Sequence, residues 1–206
     1  VQASGLSILA RTASRGPLTP QDVQSAAVQR SEGLRVITGL VTPHRWREVS
    51  RPSIESIIGA LRLSARYSVV DIASTSLEKS SRGASRDDAA LGVLERVDRL
   101  VIVARGDIVG INRLSFLASW WNEHGSDCPI TLIVNRVSTD AIGAHPVASL
   151  QDAIGTFMPE QVFHVVDEDA GVARAALRGK ALGESGTHCK ASDELEAIVA
   201  QWMPTL

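Results

Sequence analysis

Arg99-Leu100-Val101-Ile102-Val103-Ala104 is a short run whose interior is wholly aliphatic, closed two residues later by Gly106. A strand with one wet face alternates apolar and polar residues. A run with no polar position is covered on both faces, as in parallel sheets sandwiched between helices. The same kind of run recurs on either side. Downstream stand Ile130-Thr131-Leu132-Ile133-Val134 and the weaker Val162-Phe163-His164-Val165-Val166. Upstream stand Leu34-Arg35-Val36-Ile37-Thr38, ended by Gly39 and Pro43, and Tyr67-Ser68-Val69-Val70-Asp71-Ile72.

Segments of helical period fill the gaps. Residues 52–66 place Ile54, Ile57, Ile58, Leu61 and Leu63 on one side, with Pro52 suited to a first helical turn. Further helices are expected over 87–97, 111–124, 147–157, 172–178 and 192–202, the last capped by Ser192. Two more, 6–12 and 20–30, flank the turn Arg15-Gly16-Pro17. Strands separated by such helices form right-handed βαβ units. The expected fold is α/β: a doubly wound, mainly parallel sheet flanked by helices, in one domain over residues 1–206.

With 206 residues, 44% hydrophobic and 21% charged, the chain has the composition of a globular domain. Its formal net charge of -2 supplies no global field towards DNA or anionic lipid. No apolar run approaches the roughly 20 residues that cross a bilayer, and no charged n-region precedes a sustained apolar stretch. A cytoplasmic location follows as the expectation. Cys128 and Cys189 belong to no CxxC pair and read as free thiols.

Ligands of open α/β sheets bind beyond the carboxyl ends of the strands. Asp71 ends one expected strand, where it serves either a ligand or a turn. Asn135-Arg136 ends another: the amide can donate to and accept from a base edge, or simply brace a loop. Asp167-Glu168-Asp169 closes the last strand before a helix. These carboxylates suit a base or ribose, and equally the acidic first turn that a helix dipole favours. The Ser-rich stretch 74–85, with Lys79, Arg82 and Gly83, is a catalytic loop or a solvated connection. Arg82, Arg86, Arg96 and Arg99 form either a basic face or, interleaved with Asp87, Asp88, Glu95 and Asp98, ordinary surface. Trp120-Trp121 should bury at least one indole.

Other chemistries lack their motifs. Gly179-Lys180 is followed by Ala181 where a phosphate loop needs Ser or Thr, and Arg174 takes the position of its first glycine. Gly106 and Gly110 make no dinucleotide fingerprint, there is no GxSxG or HExxH, and the five histidines are scattered.

Taken in order, the strand ends resemble those of the MinD/ParA family of deviant Walker ATPases, in particular its CpaE/TadZ-like branch. The matching pieces are residues 33–40, Tyr67 to Asp71, Val97 to Val103, Gly110 to Leu114, Ile133 to Arg136, Asp167 to Asp169 and Ala175 to Leu182. The resemblance implies a P-loop NTPase-like domain. In it, Asp71 would be the catalytic Walker B carboxylate, holding Mg2+ through water. Asn135, with Arg136, would contact the adenine of ATP, and Asp167, Glu168 and Asp169 would line the same pocket. Residues 74–85 would be the switch that senses the γ-phosphate. It further implies a homodimer, partners in pilus, division or partition machinery, and a role in septum-site, chromosome or pilus positioning. DNA binding is possible for such proteins but not indicated here.

The sequence departs from the family at three places. The Gly-rich phosphate loop and its lysine should precede Val1 and are absent, so the chain reads as N-terminally truncated. The acidic motif after the second strand is missing too, and Val166 stands where a proline is usual. ATP hydrolysis is expected of the full-length protein if a Walker A loop precedes Val1, and not of this chain alone. The alternative is a pseudo-ATPase scaffold.

Overall fold

The computed structural model describes residues 3–72, 85, 87–184 and 186–203. The chain divides into two compact units, Val1–Val97 and Asp98–Leu206.

The second unit is built on three parallel strands. These are β3 (Leu100–Arg105), β4 (Ile130–Val137) and β5 (Phe163–Asp167), in the order β3-β4-β5. Each crossover is helical: α5 (Ile108–His124) joins β3 to β4, and α6 (Thr139–Ile142) with α7 (Pro146–Gly155) joins β4 to β5. Beyond β5 follow α8 (Ala170–Leu177) and α9 (Lys190–Val199). Alternation along β4 explains the apolar run Leu132-Ile133-Val134 at its centre. Leu132 and Val134, both fully buried, pack with Leu114 of α5 and with Leu150 and Ile154 of α7. Ile133 points to the opposite face, where it meets Val166 and the α9 residues Ala191 and Ile198. Helices thus cover both faces, the α/β arrangement expected. β3, however, pairs on one side only among the described residues, and Val101 and Val103 are 38% and 61% exposed.

The first unit is mostly helical: α1 (Gly5–Ala13), α2 (Pro20–Ala26), α3 (Arg51–Ser64) and α4 (Asp88–Leu94), with a 3-10 turn at Pro43–Glu48. Leu9, Val23, Ala26, Ile57 and Ala60 form one core cluster. Ala10, Val49, Ile54 and Val93 form another. The remaining strands, β1 (Val28–Ser31) and β2 (Leu34–Val36), make an antiparallel hairpin.

Several expectations are corrected here. The helix expected over 20–30 stops at Ala26, because Ala27 is already extended, and Val28 begins β1. Gly33, at φ 74, makes the hairpin turn that sends β2 back along it. The run 34–38 is therefore no buried parallel strand: β2 is exposed along its length, while Thr38 accepts the Gly5 and Leu6 amides at the start of α1, both at 3.0 Å. Residues 67–72 carry no ladder, and Val69 is 85% exposed. β-propensity alone makes no strand without a partner. Asp71 consequently does not end a strand. Ser192 does not cap α9; Cys189 does, and the Cys189 amide donates to Ser192 Oγ at 3.0 Å.

Trp121 is 8% exposed, and Trp120 stacks on His124. Cys128 and Cys189 are free thiols. The stretch 74–85 lies, apart from Ser85, outside the described residues, as does Arg86. Arg96 bonds Glu55 and Glu95, and Arg99 donates to Thr131 at 3.1 Å. No described helix is long and apolar enough to cross a membrane.

Candidate functional site

The carboxyl edge of the parallel sheet collects five of the six expected residues, Asn135, Arg136, Asp167, Glu168 and Asp169, beside Arg105, which sequence reasoning missed. Arg105 ends β3 in register with Asn135, and Asn135 lies in register with Val166. One residue further, Asp167 pairs with Val137 because β4 carries an extra residue at Arg136. Arg105, Asn135 and Val166 therefore form a row across the sheet, on the face opposite Ala104 and Val134. Arg105 was legible in principle, since it follows β3 as Asn135 follows the apolar run of β4.

The bulge shapes the row. Arg136 has φ 59, the only positive φ at a non-glycine residue among those described. Its amide donates to Asn135 Oδ1 at 2.8 Å, and its guanidinium donates to Glu168 Oε1 at 2.6 and 3.2 Å. Asparagine side chains commonly support left-handed backbone by such local bonds. Because the Arg136 N–H needs an acceptor, the amide is oriented with Oδ1 inward. Its Nδ2 donates to no other described residue. The backbone of Asn135 is anchored as well, since its carbonyl accepts the Gly106 amide at 2.7 Å.

The three acidic residues are each engaged. Asp167 binds the Lys190 ammonium, and its own amide donates to Glu194 at 3.0 Å. Asp169 caps α8, accepting from the Gly171 amide at 2.6 Å and the Ala191 amide at 3.2 Å. These N–H groups hold its carboxyl below the usual carboxylate range, the Gly171 bond foremost. The Asp167 bond raises Lys190 above its ordinary value. Asp107, the N-cap of α5, is lowered chiefly by the Gly110 amide and also lies beside Arg105. Lys190 and Glu194 were not foreseen: they come from α9, and only the packing of that helix on β5 brings them to the strand end.

Asp71 belongs to the other compact unit, exposed on a segment without a ladder. Among the described residues no group of three or more His, Cys, Asp or Glu is arranged to hold a metal ion. The row thus presents an unengaged amide donor beside an arginine. For triphosphate and Mg2+ the described residues offer no matching donor set. A cavity of about 690 Å3 lies among α5, α6 and α7, lined by Ile111, Leu150 and Phe157, and holds none of the expected site residues.

The fold belongs to a known class. No protein-family model matches the chain, and no curated protein matches it significantly in sequence. Solved structures do match. A ParA family ATPase from Chlorobium tepidum TLS superposes with a TM-score of 0.72 at 18% identity, covering 97% of this chain and 77% of that one. The MinD cell division protein of Aquifex aeolicus gives 0.60 at 15% identity, covering 97% and 80%. The cell division ATPase MinD of Pyrococcus furiosus gives 0.60 at 16% identity, covering 96% and 82%. The chain therefore has the ParA/MinD fold.

Proposed function

We propose that this chain is the C-terminal part of an ATP-dependent molecular switch of the MinD/ParA kind, acting in intracellular positioning. The observation that carries the reading is the row Arg105–Asn135–Val166 at the carboxyl edge of a parallel sheet whose fold is that of ParA and MinD ATPases. In this reading, Asn135 donates from Nδ2 to a base nitrogen, Arg136 holds that amide in place, and Asp167 to Asp169 form the rim. Asp71 supplies the carboxylate that would face Mg2+ through water. The phosphate loop, its strand and a single P-loop domain spanning all of this chain are part of the proposal. Among the described residues the outer edge of β3 is unpaired, which supports a further strand there. A homodimeric, cytoplasmic protein of the CpaE/TadZ-like branch, serving pilus, septum or chromosome placement, completes the reading.

A second reading, a pseudo-ATPase scaffold, is favoured by one observation: Asp167, Glu168 and Asp169 are all consumed by internal bonds. A titration of fluorescent ATP against the full-length polypeptide separates the two. Micromolar binding that Asn135→Ala weakens about tenfold supports the switch, since one lost hydrogen bond in a desolvated site is worth about 1.4 kcal/mol. Saturable partner binding with no nucleotide affinity in a protein lacking the loop lysine leaves the scaffold. This chain by itself is expected to show no Mg2+-dependent hydrolysis; turnover that Asp71→Ala abolishes would overturn the account of the absent loop.

A further inference from the structure

Away from the sheet edge, α8 and the segment leading into α9 enclose a small notch of about 140 Å3, lined by Gly171, Arg174, Ala175, Arg178, Thr187 and His188, with Gly186 at its wall. Its floor is made of residues with little or no side chain. Gly171 can be nothing larger, because a Cβ there would lie 2.6 Å from Cys189 Cβ. The far wall is held by a turn that needs Gly186 at φ 80 and by Thr187, which is 5% exposed. The Thr187 hydroxyl donates to the carbonyls of Ala181 at 3.1 Å and Glu184 at 2.6 Å. The notch is thus a fixed recess between a helix and a pinned turn.

Its rim is cationic. Arg174 and Arg178 stand four apart on one side of α8, and none of the described residues lining the recess is Asp or Glu. Two described carboxylates lie close to the rim. Asp169 is spent on the Gly171 and Ala191 amides, although Arg174 lies close enough to act on its charge. Asp193 faces His188 at 3.3 Å. Arginines at a helix C-terminus complement its dipole. That role asks for no concave floor between them and an imidazole, and like charges converging on one recess repel unless an anion joins them.

We propose that the notch binds a dianionic phosphoryl group, as in a phosphate monoester. Two guanidinium forks offer the planar, bidentate donors that suit phosphate oxygens. The volume equals that of four or five waters at about 30 Å3 each, which is the scale of one tetrahedral oxyanion.

The test uses inorganic phosphate on the chain as it stands, by calorimetry and by amide NMR, with chloride matched for ionic strength. Saturable binding at one site, shifts at Gly171, Gly186 and His188, and an affinity loss of at least about tenfold in Arg174→Gln/Arg178→Gln support the site. Both arginines are exposed, so the variant keeps its fold, which its far-UV spectrum checks. Arg113→Gln, an exposed change on α5, should leave the affinity within about twofold if the notch and not bulk charge binds. Unsaturable binding, shifts elsewhere, equal loss in Arg113→Gln, or duplex DNA outcompeting phosphate through the same arginines would each overturn it.

Discussion

Glycine normally weakens a chain relative to alanine, and at residue 136 the order should reverse. The perturbation is a pair of variants, Arg136→Gly and Arg136→Ala. Both lose the ion pair to Glu168, whose partners are 52% and 47% exposed and whose worth is roughly 0.2–1 kcal/mol. That loss cancels when the two are compared with each other. What remains is backbone. At φ 59 an alanine pays about 1–2 kcal/mol for its Cβ, and a glycine does not. Glycine surrenders about 0.5–1 kcal/mol more conformational entropy on folding. The difference leaves Arg136→Gly more stable than Arg136→Ala by about 0.5–1 kcal/mol. Urea denaturation followed by tryptophan fluorescence resolves this; in a scan it is a gap of about 1–4 °C, at roughly 2–4 °C per kcal/mol. Arg113, exposed within α5, is the control, where alanine should win by about 0.5–1 kcal/mol. If alanine also wins at 136, the backbone there is not left-handed, and the argument that the bulge orients Asn135 fails.

Other expectations concern packing and pH. Leu132→Ala, which empties a fully buried site between β4 and its covering helices, should cost about 3 kcal/mol in denaturant unfolding, whereas Val103→Ala should stay within about 0.5 kcal/mol. Gly110→Ala would set a Cβ 2.1 Å from the Arg105 carbonyl oxygen and should destabilise by about 1–3 kcal/mol, read as a fall in the thermal midpoint. Because the folded state lowers the Asp169 pKa, its contribution is complete above the unfolded value, near pH 4, and vanishes as pH falls through the folded value. Asp169→Asn should therefore flatten the acid limb of the stability profile. Lys190 runs the other way: its raised pKa stabilises below about pH 10.4 and is lost as pH rises further, so Lys190→Met should remove that alkaline decline.

The parallel sheet was legible because β3 and β4 each carry an aliphatic run, Leu100 to Ala104 and Leu132 to Val134, with at least one buried face. The same logic misread 34–38 and 67–72. A β-branched run reports what could be covered, and only a partner strand decides whether it is; the turn at Gly33 offered residues 34–36 a local partner instead. Within the candidate site, Asn135 was readable as a polar residue at the end of an apolar run. The geometry that makes it informative, a left-handed Arg136 whose amide fixes the side chain, has no signature in composition or period. For Asp167 to Asp169 the alternative of a helix-terminal role proved physically real at Asp169, which caps α8. The ties to Lys190 and Glu194 needed the tertiary packing of α9.

The hairpin β1–β2 offers something practical. It projects seven residues, every one exposed, on a turn at Glu32-Gly33 that packs against no cluster. Loop tips of that kind accept inserted sequence with little penalty. A short epitope placed there would give the protein a visible handle, letting its whereabouts in a living cell be followed without altering any residue of the sheet edge or the α8 notch.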